Sequence, residues 1–338
     1  MQVRRYTIQD VAKEARVGVG TVSRVLNDDP NVKTKTREHV QAVIERVGYQ
    51  PSFTARSLRT QKSNTIGFIS DAVATTPFAV NLIKGAQDAA LEHGKLLLIV
   101  DADHKPHTRE RALEHMLKRN VEGVVYAAMF HQEVNLSKAF KALPTVLVDC
   151  YSKDKSFPSS APDEFQGGYD ATYELIKHGH KRIAIILGTP LDSAYPAMQG
   201  RYKGYEKALR DAGLPLHKTL VRVGDGDSKS SFDRTLELMK LAKPPTAIFC
   251  CTDRMALGTY DALKSLGMNI PNDVSIVGFD NQDVIAEQLY PPLSTMALPH
   301  EEMGRWAIEM LLGDKLEPIH HVFPCPFIER ASIKRPEV

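Results

Sequence analysis

The chain has 338 residues, of which 43% are hydrophobic and 25% are charged, and its formal net charge is +2. This length and apolar content can build two or three domains with a large core, and the small net charge argues against a protein that coats nucleic acid indiscriminately. No apolar run reaches the roughly eighteen residues of a membrane span, and the first residues lack the apolar stretch of a secretion signal, so we expect a cytoplasmic protein without a membrane partner.

Apolar residues near the start of the chain recur at helical spacing in three runs. The runs are Ile8, Val11, Ala12 and Ala15; Val22, Val25 and Leu26; and Val40, Val43, Ile44 and Val47. The first run breaks across residues 16–18 and the second resumes at the same period, which predicts two short helices joined by a tight turn and closed by a third helix. This all-α arrangement is typical of a DNA-binding helix-turn-helix, although an ordinary pair of surface helices has the same spacing.

The second helix should begin near Gly18 and expose its N-terminal half to DNA. That half carries Val19, Gly20, Thr21 and Arg24. Arg24 is the best candidate for reading sequence, because its guanidinium can bond guanine O6 and N7, whereas Val19 offers only apolar contact. Short hydroxyl and amide groups suit phosphate oxygens, and Thr7, Thr21, Ser23 and Asn27 carry them. Residues 1–62 hold twelve Lys or Arg against six Asp or Glu, and this local basic excess favours nucleic-acid binding.

The segment at residues 48–59, GYQPSFTARSLR, makes the resemblance specific: the chain resembles the LacI/GalR family of transcription regulators over nearly its whole length. The resemblance implies a headpiece at 1–50, a hinge at 51–62 that orders on operator DNA, and DNA contacts from Tyr49, Ser52, Ala55 and Leu58. Leu58 stands where the family wedges a leucine into the minor groove, a role that bends the duplex. A linker leucine packed on the core domain is the alternative. The chain departs from the family at Gly18, where a serine cap is frequent, and at Gly20, which often contacts bases.

After Ser63 short apolar runs alternate with helical stretches, which is typical of parallel strands buried on both faces. The runs are Thr65–Ser70, Leu96–Val100, Gly123–Tyr126, Thr145–Val148, Ile183–Leu187, Ala247–Cys251 and Val274–Phe279. We therefore expect a doubly wound α/β domain at 63–338. Its resemblance to periplasmic sugar-binding proteins implies two lobes, at about 63–161 with 292–325 and at about 162–291 with 326–338. The three crossings are expected near Ser160–Pro162, Tyr290–Leu293 and Pro324–Pro326, where proline and serine cluster.

Ligands of such sheets bind beyond the carboxyl ends of the strands, which identifies candidate effector residues. They are Asp71, Phe78, Asp149, Thr252 and Asp280. The family resemblance adds Asp163 and Arg201, and Tyr195 is a further aromatic candidate. Arg201 and Asp280 match family positions that hydrogen-bond an effector, and together they satisfy both the donor and the acceptor side of a polyol. Asp149 and Asp163 are as consistent with helix caps as with effector contacts. Phe78 and Tyr195 could stack on a sugar ring or belong to the core, and the only tryptophan, Trp306, is expected to pack inside the protein.

Other chemistry has weak support in the sequence. The nucleophile elbow, the phosphate-binding loop and the dinucleotide glycine fingerprint are absent, so an enzyme is not expected. His104, His107 and His115 with nearby Asp101 and Asp103 lack the spacing of a metal site, and residues 224–228 lack the later ligands of a calcium loop, so neither a metal nor a cofactor is expected. The four cysteines are expected to be buried, inert thiols.

The sequence thus predicts a bacterial repressor, acting at the nucleoid as a homodimer or a tetramer, that binds double-stranded operator DNA. A small-molecule effector between the lobes is expected to control operator affinity, and the family makes a sugar or sugar derivative the first expectation. A nucleoside or purine effector, or a protein co-effector, stays open, and a sugar-processing enzyme is the weakest alternative.

Overall fold

The computed structural model describes residues 6–49, 62–77, 79–192 and 195–336. The chain divides into two compact units, Met1–Asn64 and Thr65–Val338. Among the described residues no helix is both long and apolar enough to cross a membrane.

In the described part of the first unit three helices pack together: α1 (Ile8–Glu14), α2 (Val19–Leu26) and α3 (Thr34–Val47). The Thr7 hydroxyl accepts a hydrogen bond from the Asp10 amide while the Asp10 carboxylate accepts from the Thr7 amide, and this reciprocal cap fixes the start of α1. Gly48 ends α3 at a φ of +63°, a conformation that favours glycine. The helices share a core as the periodicity predicts, and it contains Val11, Ala12, Ala15, Val22, Val25, Val40, Val43 and Tyr49.

The second unit contains two six-stranded sheets. In the first lobe the strand order is β11-β5-β4-β3-β1-β2, and every pairing is parallel. Its strands are β1 (Thr65–Asp71), β2 (Leu96–Asp101), β3 (Val124–Val134), β4 (Thr145–Ser152), β5 (Ser159–Pro162) and β11 (His320–Phe323). One face of this sheet packs against helices α4 (Val80–Glu92) and α10 (His300–Leu312), and the other packs against α5 (Pro106–Lys118).

In the second lobe the strand order is β12-β10-β9-β8-β6-β7, and only the short pair β10 and β12 is antiparallel. Its strands are β6 (Ile183–Leu187), β7 (Val221–Val223), β8 (Ala247–Cys250), β9 (Ser275–Asp280), β10 (Ser294–Ala297) and β12 (Phe327–Ile328). Its helices are α6 (Glu164–Lys177), α7 (Pro196–Asp211), α8 (Ser228–Met239) and α9 (Asp253–Ser265). Short 3-10 helices at Lys138–Ala142 and Lys218–Leu220 complete the two lobes. The predicted α/β class with two parallel-dominated sheets is confirmed.

One expected lobe boundary is wrong. We expected the second crossing near Tyr290–Leu293, but Ser294–Ala297 pairs with β9 and β12 and therefore still belongs to the second lobe. The chain returns to the first lobe only after Ala297, where α10 packs beside α4. The prolines at 291 and 292 mark a turn that leads into β10 rather than the passage between lobes. The other passages lie after Pro162 and between Phe323 and Phe327.

All four cysteines are buried free thiols, as the sequence predicts. Burial raises the pKa of the Cys250 thiol to about 12, so the thiol stays protonated and poorly nucleophilic.

Candidate functional site

Helix α2 presents a polar face to solvent and buries the opposite one. Val22 and Val25 lie in the core, while Val19, Gly20 and Arg24 are exposed. The amphipathic spacing explains this division, because residues three apart share a helix face. Gly18 caps the helix without a side-chain hydrogen bond, so the N-terminus is not covered by its own cap. The exposed face can therefore meet base edges with Arg24 and can reach phosphates with backbone N–H groups.

The other expected DNA contacts differ in their surroundings. Thr21 and Ser23 are partly exposed on the same helix, and the Asn27 side chain donates to the Ser23 carbonyl at the end of α2. Thr7 serves as the cap of α1. The Tyr49 ring packs in the three-helix core, and its contact with DNA stays a prediction. Ser52, Ala55 and Leu58 lie outside the described residues.

A cavity of about 340 Å³ lies between the two lobes, beyond the carboxyl ends of their strands. Five of the expected effector residues line it: Asp149, Tyr195, Arg201, Thr252 and Asp280. Asp149 comes from β4 of the first lobe, and the other four come from the second lobe. Residues from both lobes thus surround a volume of the size that holds a small ligand.

Arg201 is the most heavily bonded of these side chains. Its Nε donates to Glu164 Oε2 at 2.6 Å and its Nη2 donates to Glu164 Oε1 at 3.2 Å. Its Nη1 donates to the Cys251 carbonyl and lies 3.6 Å from Asp280 Oδ1. The guanidinium carbon stands 3.7 Å from the centroid of the Phe279 ring. Burial by itself lowers the pKa of Arg201, but the Glu164 and Asp280 carboxylates outweigh burial and raise it.

Asp280 ends β9 with a φ of +117°, and Asn281 follows at +54°. The buried Asp253 side chain stabilises this turn. Its Oδ2 accepts from the Gln282 amide at 2.7 Å, and its Oδ1 accepts from the Thr295 hydroxyl at 2.6 Å. Asp280 Oδ2 in turn accepts from the Gln282 side-chain amide at 2.8 Å. Burial raises the pKa of Asp280 well above its usual range, and Arg201 opposes that rise.

Asp149 is a buried carboxyl group in the cavity wall. Its Oδ1 is buried and meets no hydrogen-bond donor among the described residues. Burial raises the pKa of Asp149 well above its usual range, the Glu164 carboxylate raises it further, and Arg201 partly opposes both. His300, at the start of α10, lines the cavity nearby, and burial lowers its pKa to about 4. His300 is therefore neutral at neutral pH and brings no positive charge to the cavity.

An aromatic pair joins the two lobes at the cavity wall. The Phe130 and Tyr195 rings stand edge to face with their centroids 5.8 Å apart. Phe130 lies in an irregular stretch of β3, between Ala127 and Gln132, where the register with β4 shifts, and its φ is +66°. That backbone irregularity turns the ring out of the sheet toward the second lobe. The pair offers an apolar surface to a ring-shaped ligand.

Two expected effector residues, Asp71 and Asp163, do not line the cavity. Asp71 Oδ2 accepts from the Tyr126 hydroxyl at 3.0 Å and its Oδ1 from the His104 amide at 2.6 Å, so it ties β1 to its own lobe and does not line the cavity. Asp163 caps α6, accepting from the Gln166 amide at 2.9 Å, so of its two interpretations the structure places it as a cap. Phe78 lies outside the described residues. Trp306 packs against the first-lobe core, as expected.

Sequence reasoning missed Glu164, Gln282, His300 and Phe130. Glu164 lies two residues after β5, and Gln282 lies two residues after β9. A search that covered more residues after the end of each strand would have included both. His300 and Phe130 had no such signal, because the first follows a strand that was not predicted and the second depends on the irregularity in β3.

Comparison with known proteins matches both units. A family model described as bacterial regulatory proteins of the lacI family matches residues 7–52, and one described as periplasmic binding proteins and sugar binding domain of the LacI family matches residues 63–331. The chain is 34% identical to catabolite control protein A of Priestia megaterium over 90% of this chain and 91% of that protein. It is 33% identical to the HTH-type transcriptional repressor PurR of Histophilus somni over 97% of this chain and 99% of that protein. Among solved structures, it resembles a LacI-family regulator of Enterococcus faecium with bound ribose, at 26% identity and a TM-score of 0.65 over 81% of this chain and all of that one.

Proposed function

The chain belongs to the LacI family of DNA-binding transcriptional regulators, and from that premise we propose that it is a repressor whose operator affinity is set by a sugar or sugar derivative in the cavity between its lobes. Its relatives are regulators and not enzymes. We assign residues 1–50 to the DNA-reading headpiece, 51–62 to the hinge and 63–338 to effector binding and dimerisation. A regulator of the bacterial chromosome works in the cytoplasm.

The DNA half of the proposal is supported by the exposed face of α2. Arg24 is exposed on it while Val22 and Val25 hold the helix in the core. We propose that Arg24 reads a base edge and that Val19, Gly20 and Thr21 approach the same groove. From the family resemblance we further propose that Leu58 wedges into the minor groove. Replacing Leu58 by Ala should then weaken specific binding and reduce the bend of the duplex, and unchanged affinity and bend would remove that role.

The observation that supports effector binding is the cavity between the lobes. Carboxylates and a guanidinium from one lobe face a carboxylate from the other, with the Phe130 and Tyr195 rings beside them. Polar groups that can pair with hydroxyls, together with an aromatic surface for the ring, suit a sugar. The ribose held by the Enterococcus regulator supports the same class. A nucleoside would use the same groups, with its base against the aromatic pair, and is the second candidate.

A homodimer follows from the two-fold symmetry of operators that such headpieces read. The first lobe offers a surface for it, because β2 is the terminal strand of its sheet and exposes Leu96 and Ile99, at 63% and 37%. Leu91 of the adjacent α4 is exposed at 51%. A second copy of the chain that packs on this edge would bury the exposed apolar side chains and the unpaired backbone groups of β2. Replacing both Leu96 and Ile99 by Asn should shift the full chain toward monomer in analytical ultracentrifugation.

The experiment that tests the function begins with selection of double-stranded DNA from a random pool by the full chain. The affinity for the selected site is then measured against a panel of sugars, nucleosides and purines. A sugar that changes this affinity, and that fails to do so in the Asp280→Ala variant, supports the proposal. A change caused only by a nucleoside or only by a protein partner would replace the sugar, and a response that survives Asp280→Ala would place the effector elsewhere.

A further inference from the structure

The cavity between the lobes holds more acidic than basic groups. Its lining includes four carboxylates, of Asp149, Glu164, Asp225 and Asp280, and two guanidinium groups, of Arg201 and Arg254. His300 is neutral and does not restore the balance, because burial lowers its pKa to about 4. The lining therefore has more carboxyl groups than guanidinium groups.

The basic group at the centre of the cavity is already engaged. Arg201 donates to both carboxylate oxygens of Glu164 and lies 3.6 Å from the Asp280 carboxylate. Two carboxyl groups therefore share the Arg201 guanidinium, which also acts electrostatically on the buried carboxyl group of Asp149 in the first lobe. The protein supplies Asp149 with attraction from Arg201 but with no direct ion pair among the described residues.

The two buried cavity-lining atoms that lack a hydrogen-bond partner within the described chain are both acceptors. They are Asp149 Oδ1 and Gln282 Oε1, and their residues are 7% and 9% exposed. One comes from the first lobe and the other from the second. Buried polar atoms are rarely left unpaired, so two acceptors that line one cavity indicate a ligand that brings donors. Donors and a positive charge arrive together in an ammonium group, which has three N–H bonds and no acceptor.

We propose that the effector is an amine-bearing polyol, such as an amino sugar, whose protonated amine binds Asp149 and whose remaining donors reach Gln282. This inference rests on the proposed function, because it names the chemical class of the ligand for the same cavity. The bound ammonium favours the ionised form of Asp149 and makes a charge-assisted hydrogen bond to it. A phosphorylated or carboxylated sugar instead places its anion among the carboxylates and is rejected.

The inference is tested with neutral, amine-bearing and anionic derivatives of the same sugar. Galactose, galactosamine and galacturonate form one set, and glucose, glucosamine and glucose 6-phosphate form another. Isothermal titration of the full chain at pH 7 should show the amine binding at least tenfold more tightly than the neutral sugar in at least one set, with the anionic sugar weakest. Asp149→Asn should remove most of the tenfold preference. Asp163→Asn is the matched control, because Asn caps helices as well as Asp and this position does not line the cavity.

Three results would overturn the inference: in both sets a neutral or anionic sugar that binds as tightly as the amine, an amine preference that survives Asp149→Asn, or no binding by either amine. These results are separable from failure of the proposed function. A neutral sugar that binds in the cavity and alters operator affinity would leave the regulator intact and remove only the amine. Loss of sequence-specific DNA binding would remove the regulator whatever the sugars do.

Discussion

The Arg201 guanidinium donates to both oxygens of Glu164, with Nε 2.6 Å from Oε2 and Nη2 3.2 Å from Oε1, and both side chains are buried. This pair changes the role expected of Arg201. The two nitrogens that fit a bidentate partner face Glu164, so Arg201 holds the cavity wall in shape as well as facing the cavity. Gly168 and Gly200 permit the close approach of α6 and α7 that brings the two residues together, because a Cβ at Gly168 would lie 2.3 Å from the Arg201 carbonyl oxygen.

Glu164→Ala should destabilise the second unit by about 3–5 kcal/mol, because it leaves the Arg201 charge buried with only the more distant Asp280 beside it. Glu164→Gln should cost less, since its amide oxygen can still accept one hydrogen bond. Urea denaturation of the full chain measures both. The exposed pair Lys207 and Asp211 is the control, where Asp211→Asn should have a much smaller effect because solvent screens the pair. Equal effects at both sites would show that the buried pair is not needed for stability.

Asp149→Asn should make the effector-free protein more stable than the wild type at pH 8 but not at pH 4. The folded pKa of Asp149 is raised by burial, so its contribution is fully present below the ordinary carboxylate pKa of about 3.9 and is lost as pH rises through the raised value. The amide does not titrate and escapes that loss. Denaturation midpoints from pH 4 to pH 8 give the comparison. A gap between variant and wild type that stays constant with pH would contradict the buried, unpaired state of this carboxylate.

Arg24→Ala should relax base preference at one position of the operator and cost about 1–3 kcal/mol against the preferred site. Lys13→Ala, on the exposed side of α1, is the control and should weaken all sequences by a similar factor. Selection from a random pool followed by anisotropy titration separates the two outcomes. If the Arg24 variant selects the same site with the same discrimination, another side chain reads the DNA.

Two glycines of the first unit should respond to alanine with opposite signs. Gly20 is exposed inside α2 with no atom within 4 Å of an added Cβ, so Gly20→Ala should stabilise the unit by about 0.5–1 kcal/mol. Gly48 has the same open surroundings but a φ of +63°, so Gly48→Ala should destabilise it. Amide hydrogen exchange of α1 to α3 in the full chain measures both changes. Stabilisation by both substitutions would contradict the positive φ at Gly48.

The parts of the fold that local pattern decides were predictable. Apolar runs located β1, β4, β6 and β8, because strands buried on both faces must be apolar throughout. The strand β10 was missed because two of its four side chains are polar. The Thr295 hydroxyl donates to Asp253 and the Ser294 hydroxyl accepts from the Arg330 amide, and these hydrogen bonds exist only after folding. That omission displaced the expected lobe boundary.

Part of the candidate site was also predictable from local sequence. Position after a strand identified Asp149, Thr252 and Asp280, but it could not separate them from Asp71, whose carboxylate faces Tyr126 instead. The partner of Arg201 was not predictable, because Glu164 is 37 positions away and the pair depends on how α6 packs on α7. The Phe130 contact depends in the same way on the irregularity in β3.

The most direct test of the account is the affinity of the full chain for its selected operator, measured with and without the sugar that binds it most tightly. The account predicts marked preference for one double-stranded site over random sequence and a change of about 5- to 150-fold on adding the sugar, in either direction, which disappears in Asp280→Ala. Two results would contradict the account. The chain would prefer no double-stranded site over random sequence, or no ligand that binds in the cavity would change its affinity for the operator.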